Sequence, residues 1–489
     1  EVLPAVRVQH DKGASATPAL GDRRLALVQR SWLHFHAVHG GWPRLLAAAV
    51  LLSVGDLLRL AVRTAAGVAR GQGWGGGRRF RHAVAVTASP PVWWRVRRAA
   101  RRRQGRVLFT DHAGGIGGGQ RSLLHLLRRL PAHGVQPVLA APPGPLATEA
   151  AGLPSVIHVV WALPRLRGPG GPVRWLVAVC RTWRLVRRSG AAVVHANTVR
   201  AALVAVPAAR LAGRAAVWQC RDFWLSESEP RWPLPHRVVQ AGLQSLATCT
   251  VAVSDAVATQ LPRPAAVIRN GIDLAATGTA AERHGAVRTA LGLPGDARIL
   301  LHAGRLRPWK GADVAVRAVG PLLRADPRLL LVLAGGTPLG EGDGHPARLA
   351  VLAAPHDDQV RLVGHVDDLP GLAAGAELLL ATGEPEPFGL VVAEALAVGL
   401  PVLGFAHGAL PELLGINDPA PPAGVVVEPG TTPDDLTPVV AALLADPGRR
   451  AVLGAAGRRR ARALFDADRT AAELAALLHD QAGPRRTVP

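Results

Sequence analysis

The stretch EPEPFGLVVAEALAVG, residues 384–399, decides how this chain reads. An apolar run at 377–381 leads into it, and its first half is polar and broken by Pro385 and Pro387. From Phe388 the pattern turns apolar and helix-compatible until Gly399 stops it. Strand, loop and helix in that order form the unit that holds ligands at the carboxyl ends of strands in open α/β sheets. Glu386 falls at the loop mouth. Glu394 follows eight residues later, a little over two helical turns, on roughly the same helix face. The amides of Phe388, Gly389 and Leu390 open the helix, where the dipole favours an anion. Two carboxylates beside such a helix start suit a sugar nucleotide: acids for hydroxyls, amides for phosphate. Spacing alone leaves a second reading open, two exposed acids on an ordinary helix.

Outward from this stretch the chain alternates strand and helix. Residues 106–111 (RVLFTD) form an apolar strand candidate, 112–120 (HAGGIGGGQ) a glycine-rich loop, and 121–133 an amphipathic helix. That is the opening of a Rossmann-like domain, although the glycine spacing does not match G-x-G-x-x-G. Strands are expected at 135–141, 155–160, 192–195 (ending in His195, Ala196, Asn197) and 215–220 (ending before Arg221 and Asp222), with a helix at 175–189. A polar, Ala-rich connector at 278–293, with a short helix, leads to a second Rossmann-like unit. It opens with a strand at 299–303 and the run Gly304, Arg305, Leu306, Arg307, Pro308, Trp309, Lys310, Gly311. Further strands are expected at 329–336, from 360, and at 401–405 and 425–429, and helix from residue 434 onward. The basic run 458–462 reads as a solvated face or helix end.

Composition tempers the charge argument. The formal charge of +22 is almost all arginine, and Tyr and Met are absent. A coding bias explains this as well as a surface for anions does. Lys12 and Lys310 are the only lysines, so a lysine inside a motif stands out from that bias. Cys180, Cys220 and Cys249 lack metal-site spacing and fit a reducing compartment. At 489 residues, two to four domains are expected. The first thirty residues are polar and charged, without a signal-peptide pattern. The chain lacks an initiator Met, so processing or excision from a longer product is expected.

The opening segment resembles the E-x7-E signature of the retaining family-four glycosyltransferases, which have the GT-B fold. EPFGLVVAEALAVGLPVL, residues 386–403, is close to that family's most specific motif. The chain from about residue 106 to about residue 478 follows the family's pattern, including GRL…KG at 304–311, and VAVS (251–254) with VIRNGID (267–273) resembles its last first-domain strands and its crossover to the second domain. The resemblance implies an α/β, GT-B protein: two Rossmann-like parallel-sheet domains facing a cleft, with a helical N-terminal extension. It implies an acceptor domain at 105–277, a hinge at 278–295, a donor domain at 296–480 and a tail at 481–489. It also implies that Arg305 and Lys310 meet the donor diphosphate, that Glu386 holds hexose hydroxyls and Glu394 ribose hydroxyls. Phe388, Gly389 and Leu390 then supply the phosphate-binding helix start, and His365 lies near the nucleobase. Gly117, Gly118, Gly119 and Gln120 form the loop that contacts acceptor and donor phosphate, with His195 and Asn197 beside it. Asp222, counted with Glu386, Arg305 and Lys310 among the catalytic candidates, falls near where some members carry an acceptor-side His, so no His is carried over as a base. His195 at a strand end also reads as structural.

Residues 1–104 read as a basic, helical extension. Residues 44–70 suit one or two helices, whose apolar centre at 45–54 is too short to span a bilayer. Trp93, Trp94 and the arginines at 95, 97, 98 and 101–103 suit an anionic lipid surface or a solvated linker helix. VRVQHDKGAS (6–15) with RLALVQRSWLHFHAVHGGWPRLLAAAVLLSVGDLLRL (24–60) resembles the tail of family-two, rhamnosyltransferase-like glycosyltransferases, as if a preceding transferase module ended here. The nucleotide and metal motifs of that family are absent, so no activity is assigned to it.

The expectation is a retaining glycosyltransferase that moves a hexosyl-type sugar from a nucleoside-diphosphate sugar to a glycan, lipid-linked or small-molecule acceptor, in surface polysaccharide or glycolipid synthesis. Its partners are the nucleotide-sugar donor, the acceptor and an anionic membrane contacted peripherally at the cytoplasmic face. No metal or other cofactor and no nucleic acid is expected. Two other classes stay open: a basic protein binding nucleic acid or membrane, and an inactive transferase-like scaffold.

Overall fold

The structure is a computed structural model that describes Leu33, residues 47–52 and 54, and residues 105–482 apart from 167, 224–235, 337–343 and 357. The chain divides into two compact units, Glu1–Gly105 and Arg106–Pro489. In the first, Leu33, residues 47–52 and residue 54 are helical. The Trp-Arg run at 93–103 and most of the expected extension lie outside the described residues.

The second unit holds two parallel sheets. The first lobe contains β1 (Arg106–Thr110), β2 (Gln136–Ala141), β3 (Ile157–Val160), β4 (Val193–Ala196), β5 (Ala215–Cys220), β6 (Cys249–Ala252) and β7 (Ala266–Val267), in the order β3-β2-β1-β4-β5-β6-β7. The second contains β8 (Arg298–Ala303), β9 (Leu329–Ala334), β10 (Val360–Gly364), β11 (Leu378–Ala381), β12 (Val402–Phe405) and β13 (Gly424–Val427), in the order β10-β9-β8-β11-β12-β13. Helices cover both faces, so central strands read as unbroken apolar runs; every residue of β9, LLLVLA, is buried.

Strand order reverses between β1 and β4 in one lobe and between β8 and β11 in the other. Crevices at such reversals hold ligands, because loops diverge from neighbouring strand ends. The loops there are the glycine-rich loop and residues 197–198 in the first lobe, and 304–311 and 382–389 in the second.

The helices of this unit include α1 (Gly118–Arg129), α2 (Gly171–Ser189), α3 (Asp255–Thr259), α4 (Leu390–Val398), α5 (Leu410–Leu414), α6 (Pro447–Leu464) and α7 (Ala467–Ala482). The chain crosses between lobes near Gly271 and returns near Asp466. There Ile272 N donates to Phe465 O at 2.8 Å and Ala467 N to Ile272 O at 3.0 Å. Gly271 is required, since a Cβ would collide with the Ala467 backbone. After the return, α7 packs Ala471, Leu474, Ala475 and Leu478 onto Leu123, Leu126, Leu127 and Leu130 of the first lobe.

Several expected bounds change. The last strand of the first lobe is only β7, and the rest of 267–273 is the crossover that the resemblance placed there. The short helix expected in the connector at 278–293 is Ala280–Ala290 and fills most of it. The helix expected from Phe388 begins at Leu390, since Gly389 at φ +89° forms its cap in the left-handed region. The basic run is not merely solvated. Arg458 Nη1 donates to Val398 O at 3.2 Å, and Arg460 donates to Leu413 O and Glu412 O at 2.7 and 2.6 Å. Both cations therefore sit at helix carboxyl ends, where the dipole favours them.

Candidate active site

The second lobe brings Arg305, Lys310 and Glu386 together through two loops fastened to each other. Gly311, at φ +70°, leaves no space for a Cβ because the Thr382 carbonyl lies against it. Thr382 Oγ1 donates to Gly311 O, and Glu384 N to Trp309 O, both at 2.7 Å. These bonds lay the loop after β11 along the loop after β8. Lys310 Nζ consequently donates to Glu386 Oε1. The exposed Arg305 guanidinium lies 5.5 Å from the Trp309 ring centroid, and Arg307 lies 5.9 Å from the same ring. Burial pushes the Lys310 ammonium down to about 8, Arg305 adds to the shift, and Asp222 opposes it. Asp222 belongs to the end of β5 in the first lobe, so its charge acts on Lys310 across the cleft.

Glu386 lies in the loop before α4, not on the helix. The shared helix face expected for Glu386 and Glu394 is therefore absent; loop-to-loop fastening positions Glu386 instead. Phe388 turns its ring into the core, edge-on to Phe465 at 5.6 Å and 89°. Only its backbone faces the helix start. Glu394 is partly buried on α4, and no hydrogen bond or ion pair to its carboxylate is made among the described residues. Burial pushes its pKa up to about 7, with Arg121 of the first lobe opposing. The first lobe also approaches at Gly118, where a Cβ would stand 3.6 Å from Leu390 Cδ1. The glycine-rich loop thus faces the start of α4.

Behind that loop lies a buried polar network. Asp111, fully enclosed, accepts from Ala113 N at 2.9 Å, from Gln120 Nε2 at 3.2 and 3.1 Å, and from Asn197 Nδ2 at 2.6 Å. Gln120 Oε1 accepts from Gly117 N at 3.1 Å. Arg221 donates to Asn197 Oδ1 at 2.6 Å, Ser122 Oγ at 3.0 Å, Asn270 Oδ1 at 2.6 Å and Gln219 Oε1 at 2.9 Å. Burial pulls its pKa down to about 10 and Asp111 opposes. Gln120 and Asn197 were expected to meet acceptor or phosphate; their side chains instead frame the loop from behind. His195 fits its structural reading and not a place beside the phosphate loop: it is fully buried with its ring 4.9 Å from Phe109, and burial followed by Arg221 lowers its pKa to about 3, so it is a neutral packing residue. Gly117, Gly118 and Gly119 open α1 at the cleft. His365 is exposed on the loop after β10, with Nε2 3.4 Å from Asp367 Oδ1.

Sequence reasoning missed two features. His112 stands at the mouth of the glycine-rich loop with Nδ1 2.8 Å from Thr198 Oγ1. Burial lowers its pKa, Asp111 opposing and Arg200 assisting. Its place between a strand and the glycines was the available signal. The second feature is a clasp between lobes. Ser254 Oγ donates to Pro387 O at 2.6 Å, Asp255 N to Glu412 Oε2 at 2.9 Å, and Arg269 Nε to Glu412 Oε1 at 2.8 Å. Only the pairing of Ser254 with Asp255 at a helix start was legible.

The arrangement offers two cations, a helix start and a carboxylate on one side of a cleft, with a glycine-rich loop opposite. The profile described as Glycosyltransferase Family 4 matches residues 116–276, and that described as Glycosyl transferases group 1 matches residues 285–460. A D-inositol 3-phosphate glycosyltransferase of Kineococcus radiotolerans is 37% identical over 213 residues, 41% of this chain and 48% of the relative. The chain thus spans about half the length of the curated relatives it matches. Among solved structures, HepE of Anabaena in complex with UDP and glucose aligns with a TM-score of 0.63 at 23% identity, over 76% of this chain and 98% of that one. A glycosyltransferase from Rickettsia africae aligns with a TM-score of 0.65 at 18% identity, over 77% and 98%. Each lobe thus matches a glycosyltransferase profile, the family-four profile on the first and the group 1 profile on the second, and the two-sheet fold of residues 106–482 is similar to that of the GT-B glycosyltransferases.

Proposed function

We propose that the protein transfers a hexosyl-type sugar from a nucleoside-diphosphate sugar to an acceptor, with retention at the anomeric carbon. The observation that carries this reading is the contact of Lys310 with Glu386 beside the start of α4, with Arg305 close enough to shift Lys310. In the free protein Lys310 and Glu386 satisfy each other. A donor diphosphate takes over Lys310, and Glu386 then turns to the hexose hydroxyls. As the glycosidic bond to the diphosphate breaks, negative charge grows on the leaving oxygens. Arg305, Lys310 and the α4 amides stabilise that charge, which is where electrostatic preorganisation acts most strongly. Arginine offers a planar fork and lysine a point charge, so the two are complementary on a pyrophosphate.

Glu394, ionised, accepts the ribose hydroxyls. The leaving phosphate takes the acceptor proton on the same face, so no histidine base is needed. Asp222 faces Lys310 from the acceptor lobe and holds that cation protonated. These cations take the place of a metal in the proposed reaction, which runs without a cofactor. His365 is assigned to the nucleobase side. The acceptor is a glycan, a lipid-linked glycan or a small polyol phosphate, at the cytoplasmic face of a membrane. UDP in the HepE complex and the name of the inositol-phosphate relative set where screening starts. Hydrolysis of a panel of UDP-, GDP- and dTDP-sugars by the purified protein, then transfer to inositol phosphates and lipid-linked glycans, tests the reading. Turnover of one donor supports it, and inertness toward every donor with every acceptor contradicts it.

A further inference from the structure

Helix α2 carries a surface that the proposed reaction does not use. Its inner face buries Ala178, Val179, Thr182 and Val186. Both nearby indoles turn inward: Trp161 Nε1 donates to Thr182 Oγ1 and Trp175 Nε1 to Leu203 O, each at 2.9 Å. The outer face exposes Val173 (66%), Leu176 (56%) and Val177 (43%), then Cys180, then Arg181, Arg184, Arg187 and Arg188. At about 100° per residue these eight positions fall within an arc of about 140°. The stripe is apolar in its first half and cationic in its second. Around it, residues 150–221 contain eleven arginines and no aspartate or glutamate. An uncharged protein partner would not call for such an acid-free field, and an aqueous face would not call for three exposed aliphatic side chains in two turns.

We propose that this face of α2 seats the protein on an anionic lipid surface. Aliphatic side chains enter the acyl boundary while arginines meet headgroup phosphates, the division of labour of interfacial helices. Single-stranded RNA suits the face less well, because base stacking uses exposed aromatic rings. Here Trp161 and Trp175 point inward, and Arg187 covers Trp183 at 5.3 Å from its centroid. Topology adds a consequence. α2 follows β3 and runs back antiparallel to it, so its apolar end lies at the carboxyl edge of the sheet. The glycine-rich loop and Asn197 lie at that same edge. The lipid surface therefore approaches the acceptor side of the cleft, which suits an acceptor anchored in lipid; this last step rests on the transferase reading, whereas the lipid contact does not.

The test uses the full chain with vesicles of phosphatidylcholine, with and without about one-third phosphatidylglycerol. Wild type is expected to co-sediment with the anionic vesicles, much less with the neutral ones, and to release with added salt. Leu176→Asp with Val177→Asp is expected to lower the partition coefficient about tenfold. Arg184→Ala with Arg187→Ala is expected to lower it several-fold and flatten its salt dependence. These side chains are exposed, so unchanged melting temperatures are expected and nucleotide-sugar hydrolysis stays at the wild-type rate. In a Cys249→Ser background, an environment-sensitive dye on the exposed Cys180 is expected to shift blue with anionic vesicles only. Wild-type partition by folded variants, equal binding to neutral vesicles, or an α2 variant that loses binding to an RNA oligonucleotide but not to vesicles would overturn the proposal. Because hydrolysis is measured separately, failure here leaves the transferase reading standing, and the reverse also holds.

Discussion

Ser254 donates its hydroxyl to the carbonyl oxygen of Pro387 at 2.6 Å, joining the end of β6 in the first lobe to the loop that carries Glu386 in the second. The same oxygen accepts from Val257 N at 3.1 Å and so caps α3. One buried hydroxyl thus serves a local helix and the contact between lobes. Beside it, Glu412 receives Asp255 N and Arg269. Ser254→Ala removes both bonds. Loss of the cap alone costs about 1 kcal/mol. We expect a stability loss of about 1–2 kcal/mol in chemical denaturation, together with a donor KM raised several-fold and an acceptor KM unchanged. A donor KM that stays put would show that the clasp does not hold the donor loop.

Two groups set the expected pH dependence of kcat/KM for the donor. Glu394, pushed up to about 7, must ionise to accept hydroxyls, so the profile rises through that value. Lys310, pulled down to about 8, must stay protonated to hold diphosphate, so the profile falls above it. A narrow bell between the two is expected. Lys310→Arg removes the alkaline limb, since guanidinium does not titrate there. A wild-type profile flat from pH 6 to 9 would contradict both assignments.

Glu394 also links stability to pH. Its folded pKa lies above the unfolded value, so its favourable contribution is complete at acid pH and is lost as pH rises through about 7. Glu394→Gln is therefore expected to stabilise the protein at pH 8 by roughly 1–3 kcal/mol, to leave it nearly unchanged at pH 5, and to impair donor binding. Denaturation midpoints at the two pH values check the sign.

Arg221 binds four partners behind the glycine-rich loop. Arg221→Met leaves Asp111 buried without that cation, and a loss of about 3 kcal/mol or more is expected. Arg221→Lys should not restore it, because one ammonium cannot span Asn197, Ser122, Asn270 and Gln219 in the geometry of a guanidinium fork. Equilibrium denaturation of both variants measures this, and a stable lysine variant would show that the network tolerates its loss.

Much of the frame was readable because strands buried on both faces appear as unbroken Val, Leu and Ala runs between glycine punctuation. The α/β alternation, the two lobes and the loops at their strand reversals follow from that pattern. Strand ends were less readable where tertiary contact overrides propensity, as after Val267, where β7 stops and the chain enters the crossover at Gly271. Among site residues, Lys310 stood out by its rarity. The inward turn of Gln120 and Asn197 was not readable, since a polar residue at a strand end or in a loop looks the same whether it faces ligand or the buried Asp111. The roles of Arg458 and Arg460 depend on carbonyls 60 and 47 residues away in sequence, which no local pattern reveals.

The central claim is that Lys310 and Arg305 with the start of α4 hold a pyrophosphate. Calorimetric titration tests it most directly, using the nucleoside diphosphate and monophosphate of the base that the donor panel identifies, with wild type, Lys310→Ala and the Lys310→Ala, Arg305→Ala pair. The account predicts that wild type prefers diphosphate by about 100-fold, roughly 2.7 kcal/mol, and that the preference shrinks in the single variant and vanishes in the double. An undiminished preference for diphosphate in the folded double variant would contradict it.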